Sequence, residues 1–158
     1  MEEITKIGLI AGGGMMPVEI VRICRARGVE VYVAGLTPWV DGAMFQDVDY
    51  VAVRIGEVGR MMKFFKEHGV RDLVLAGGIK RPSLKELIPD FEAVKILAKV
   101  ALKKTSDDGL FRAVIDQIES RGFHVLGIEE IVPEMLFHEG VYGRVKPSSD
   151  DMDDIARG

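Results

Sequence analysis

"KIGLIAGGGMMPVEI", residues 6–20, decides the fold. An apolar run rich in β-branched residues, 4–10, reads as a strand and stops at Gly12-Gly13-Gly14. Pro17 then suits the first turn of a helix, where its missing N–H would have had no partner. That helix carries Val18, Val21 and Cys24 along one face and stops at Arg27-Gly28, a cation and a glycine cap. Three glycines between a strand and a helix leave backbone N–H groups bare at a helix N-terminus, a setting in which an anion can approach.

The same alternation continues outward. Strands are expected at 29–35, 48–55, 71–78 and 123–129. Between the third and fourth, "EVGRMMKFFKEHG" places Val58, Met61, Met62 and Phe65 at helical spacing, with Gly69 after its end. Asp90 is positioned to cap a helix reaching about Lys103. Asp107 or Asp108 is positioned to cap another, with Phe111, Val114, Ile115 and Ile118 on its buried side. Strands that alternate with helices imply an α/β, Rossmann-like three-layer domain whose mostly parallel sheet has about five strands. The expected strand order is 3-2-1-4-5.

Composition narrows the function. The chain has 158 residues, a net charge of −4 and one cysteine, Cys24. That leaves no disulfide framework and no global attraction to nucleic acid. A reducing, cytoplasmic setting fits. Residues 1–146 form the expected domain, and 147–158 read as a linker and helix start, with Ser148 and Asp151 as a capping box. The chain thus looks cut ahead of a further domain.

The glycines match the dinucleotide fingerprint only in part. Gly12 and Gly14 fit, but Pro17 holds the third position. Ala34 and Gly35 stand where an acid would hold an adenine ribose. A second segment, "LVLAGGIKRP" (73–82), also closes a strand with Ala-Gly-Gly. In the expected order, strands one and four are neighbours, so the two glycine loops would flank one crevice. Lys80 and Arg81 would stand beside it, a mobile point charge and a planar fork for phosphate. A solvated basic turn is the plainer reading of that pair. His68 closes a helix, His124 lies in a strand and His138 in a loop, and no two have metal-ligand spacing. Asp107-Asp108 could hold a divalent metal, although helix capping accounts for them more simply.

Together "GLIAGGGMMP", "LAGGIKRPSL", "DDGLFRAVIDQIESRGF" and "EEIVPEML…GVYGRVKPS" resemble, in order and spacing, bacterial UDP-2,3-diacylglucosamine pyrophosphatases of the LpxI type. The resemblance covers about 12 to 156. It implies the N-terminal domain of a two-domain hydrolase of lipid A biosynthesis. Such an enzyme cleaves the substrate's pyrophosphate to UMP and lipid X with a divalent metal, Mg or Mn. It further implies that Gly12, Gly13, Gly14, Gly77, Gly78, Lys80, Arg81, Pro82, Asp107 and Asp108 line the substrate cleft. The catalytic, metal-binding acids belong to the family's carboxyl-terminal domain, which has no counterpart here. A homo-oligomer with peripheral contact at the inner membrane is the expected setting, with no nucleic-acid partner. Apolar surface for the acyl chains is expected around Met44 and Phe45, or around Met135, Leu136 and Phe137. Two rival readings are an NAD-type oxidoreductase domain and a non-catalytic nucleotide-sugar or phosphate-binding module.

Overall fold

The computed structural model describes residues 4–79, 89–95, 98, 107–136, 140, 141 and 143–157, the side chains of 107–110 excepted. Among them, β1 (Lys6–Ala11) runs through the glycines into α1 (Met16–Ala26). Then follow β2 (Glu30–Thr37), a 3-10 turn (Gly42–Phe45), β3 (Asp49–Arg54), α2 (Val58–Glu67) and β4 (Asp72–Ala76). A helix over 91–95 (α3) precedes α4 (Asp107–Glu119), β5 (His124–Leu126), α5 (Ile128–Ile131) and α6 (Ser149–Arg157). The five strands form one sheet in the order β3-β2-β1-β4-β5, every pair parallel. Fold class and strand order are as the sequence predicts.

Alternation along β1 feeds two cores. Ile7, Leu9 and Ala11 join Ile20, Val21 and Cys24 of α1 on one face, together with Ile131 and Val132 at and just past α5. Ile10 points the other way, to Val58, Met61, Met62 and Phe65 of α2 and Ile118 of α4. Each large apolar side chain fully enclosed in this way, such as Phe65 or Leu9, contributes about 1.5–3 kcal/mol. The α2 face is the one its spacing predicts. Cys24 is buried, which pushes its thiol up and leaves it a core residue.

Three expectations are corrected. β4 stops at Ala76 rather than Gly78, because Gly77 turns the chain at φ +90°. β5 ends at Leu126, since Gly127 opens α5 and the Glu130 carboxylate accepts from its N–H at 2.8 Å. Phe111 is not on the buried side of α4 but 55% exposed; it sits in the first turns, beyond the sheet's carboxyl edge. The predicted cap at Asp90 is present, with the Ala93 N–H donating to Oδ1 at 2.9 Å. Its other oxygen, Oδ2, accepts from the Gly59 N–H of α2 at 2.6 Å. The predicted extension of that helix to Lys103 lies mostly outside the described residues.

One polar contact was not legible beforehand. Gln117, buried on α4, donates to Glu92 of α3 at 3.2 Å. Arg121 and Lys95 reach the same carboxylate and hold it below the usual carboxylate range despite the opposing cost of desolvation.

Candidate functional site

At the carboxyl edge of the sheet, β1 and β4 lie side by side, and their glycine loops meet directly. The Gly12 N–H donates to the Ala76 carbonyl at 2.8 Å. Gly13 and Gly78 exchange both backbone bonds, at 2.7 and 2.8 Å, as an isolated antiparallel bridge. A Cβ on Gly12 would stand 2.8 Å from the Gly78 carbonyl oxygen, and one on Gly77 would stand 2.7 Å from the Gly12 carbonyl carbon. The bare backbone is therefore required by the opposite loop, whatever else approaches it. The N–H groups of Gly12 and Gly13 are engaged by that clasp. Those of Gly14, Met15 and Met16, at the start of α1, have no acceptor among the described residues. Met15 holds the N-cap position without a side-chain cap. The donors open to an anion thus lie one turn further along than the glycine pattern suggests.

The clasp floors a cleft of about 560 Å³. Its walls are Ile10 of β1, Leu36 of β2, Leu75 of β4, Phe111 of α4 and Ile128 of α5, closed by Met15, Met16 and Ile79 at the rim. No charged side chain is among the described lining residues. β2 runs two residues past its expected end, to Thr37, so Leu36 rather than Ala34 or Gly35 stands at this edge, where a dinucleotide fold would present an acid to the ribose. Phe111 and Leu36 are site residues that sequence reasoning missed. Helical periodicity assigns Phe111 a face but not its height above the sheet.

The other predicted residues divide in three. Gly12, Gly13, Gly14, Gly77 and Gly78 come together in the cleft. Lys80, Arg81 and Pro82 lie outside the described residues, directly after Ile79 in the chain. Asp107 and Asp108 open α4, whose third turn runs toward Gln117; their side chains are likewise outside. Of the predicted acyl surfaces, Phe45 is buried against Tyr50 and Met135 packs on the core, while Met44 and Leu136 are exposed; Phe137 is outside the described residues. Among those residues no three His, Cys, Asp or Glu side chains converge as a metal site. The described residues therefore do not fit a divalent ion. His68 caps α2 with its Nδ1 2.8 Å from the Phe64 carbonyl and its ring against Tyr32, far from this edge.

One solved structure, that of gox2253, superposes with a TM-score of 0.47 at 13% identity, over 79% of this chain and 34% of that one. The UDP-2,3-diacylglucosamine pyrophosphatase LpxI of Caulobacter vibrioides is 35% identical over 153 residues. The match takes in 95% of this chain and 54% of that protein, so the chain spans about half the length of its relative. Residues 6–135 match the model of the LpxI N-terminal domain. With its strand order, paired glycine loops and this match over most of its length, the chain belongs to the family of LpxI N-terminal domains.

Proposed function

We propose that this chain is the substrate-binding, amino-terminal part of a hydrolase that cleaves the pyrophosphate of UDP-2,3-diacylglucosamine to UMP and lipid X in lipid A biosynthesis. The observation that carries the reading is the crevice at the carboxyl edge. It pairs N–H groups at the start of α1 that have no acceptor among the described residues with apolar walls. A pyrophosphate joined to an acylated sugar needs both. The N–H groups of Gly14 to Met16 would hold phosphate oxygens, with the α1 dipole adding to the attraction. Lys80 and Arg81, next in the chain after the rim residue Ile79, would supply cationic donors to the same oxygens. Donors already in place lower the cost of the charge that builds as water attacks phosphorus. Leu36, Leu75, Phe111 and Ile128 would take the apolar part of the ligand.

The divalent metal implied by the family finds no donor set among the described residues. Its ligands, and the catalytic acids, would come from the carboxyl-terminal part of such enzymes. The reaction would take place in the cytoplasm, at the inner-membrane surface, in a homo-oligomer.

Calorimetric binding of UMP and lipid X to the full-length protein tests the reading. Arg81→Ala should weaken affinity roughly 10- to 150-fold, the loss of one charge-assisted hydrogen bond. Arg81→Lys should recover only part of it. A variant that binds like wild type at low and high salt would remove the proposed cation and the phosphate reading with it.

A further inference from the structure

Methionine is unevenly placed in this chain. Met61 and Met62, on the buried face of α2, are 5% exposed and shielded from a dissolved oxidant. Met15 and Met16 are neighbours at the start of α1, 61% and 45% exposed, and both line the crevice. Their thioethers are soft, flexible surfaces that mould to an apolar ligand. They are also the oxidisable atoms of a wall that otherwise holds carbon side chains such as Leu36, Leu75 and Phe111.

We propose that Met15 and Met16 form a peroxide-sensitive modification site that lowers the crevice's affinity for its ligand when oxidised. The inference rests on the reading of the crevice as the seat of an apolar, phosphate-bearing ligand. The thioether sulfur attacks one oxygen of a hydroperoxide and the O–O bond breaks. The S–O bond forms, sulfur loses two electrons, and the peroxide leaves as water or alcohol. Two thiols reverse the step, giving the thioether, a disulfide in the reductant and water. The sulfoxide sets a strong dipole against an apolar chain. It also brings an acceptor oxygen to the turn whose N–H groups at Gly14, Met15 and Met16 have no acceptor among the described residues, where it competes with an anion.

The chain is treated with hydrogen peroxide and followed by peptide mass spectrometry. Binding of a fluorescent medium-chain fatty acid is measured before and after. Met15 and Met16 should convert alongside the exposed Met152 of α6, well before Met61 and Met62. Affinity should fall about tenfold and return after treatment with methionine sulfoxide reductase. A Met15→Leu/Met16→Leu chain, compared with its own untreated sample, should show no fall. Full conversion of Met15 and Met16 with unchanged affinity overturns the proposal, as does an equal fall in the double variant. A chain that binds no fatty acid before treatment sinks the apolar reading of the crevice, and this inference with it. That failure is recognised by the missing signal in the untreated sample.

Discussion

The two ends of the sheet are closed by different chemistry. At the amino-terminal edge, charged side chains fasten distant segments. Lys6 donates to the His68 carbonyl at 3.0 Å and pairs with Glu30 at 3.4 Å. Arg27 donates to the Ile131 carbonyl at 2.7 Å and pairs with Glu134, tying α1 to the segment after α5. Arg25 meets Asp47, and His124 meets Asp72. At the carboxyl edge, the described residues join β1 and β4 through backbone bonds, beneath an apolar cleft. Side-chain pairs on a surface are exchangeable and individually weak. A backbone clasp tolerates side chains poorly and keeps the floor of the cleft bare. Anchoring and access therefore lie at opposite ends of the same strands.

The largest expected effect is on the clasp. Gly77→Ala forces an L-residue to φ +90° and drives a Cβ into the Gly12 backbone, so it should cost about 3–5 kcal/mol in urea unfolding. Gly14→Ala shares the left-handed conformation, φ +101°, but its Cβ would meet nothing within 4 Å. It should cost only about 1–2 kcal/mol. Equal losses in the two would mean that the loop-to-loop contact contributes nothing. Gly13→Val, whose Cβ would sit 3.2 Å from the Trp39 carbonyl oxygen, should cost less than Gly77→Ala, at ~1–3 kcal/mol.

The charged end should be more forgiving. Arg27→Ala removes a bond to a backbone carbonyl and a half-exposed ion pair, a loss of about 1 kcal/mol. It should leave ligand affinity at the crevice unchanged by calorimetry. A loss of binding would show that the two ends communicate through α5.

The smallest effect is a pH dependence. The Glu134 carboxyl lies below its ordinary value of 4.5 because its own backbone N–H donates to it and the Arg27 guanidinium stands beside it. The folded chain therefore holds that proton less tightly than the unfolded one. The contribution is present above pH 4.5 and is lost as the pH falls through the lower folded value. The stability gap between wild type and Glu134→Gln should accordingly shrink in acid. A gap that stays constant from neutral pH downward would remove Arg27–Glu134 from the list of anchors.

Much of this was legible in the sequence, for reasons that can be located. Val58, Met61, Met62 and Phe65 declare the inner face of α2 by spacing alone, because helical geometry is local. The alternation of strands and helices gave the parallel sheet and its order. The clasp was harder. That two glycine loops would be neighbours follows from strand order, but the Gly13–Gly78 bridge depends on register, which no short-range pattern encodes. Arg27 reaching Ile131 and Arg121 reaching Glu92 are likewise contacts between segments far apart in sequence. Phe111 was misplaced because periodicity fixes angle around a helix and says nothing of where the sheet beneath it ends.

Asp90 has a consequence beyond capping. Its carboxylate binds the first turn of α3 and the first turn of α2 together, and its own N–H donates to the Gly56 carbonyl at 2.8 Å. One carboxylate thus serves as a shared hinge pin for two helices that are separate in sequence. A single substitution at Asp90 would therefore loosen two helix starts at once, on the side of the sheet where α2 packs.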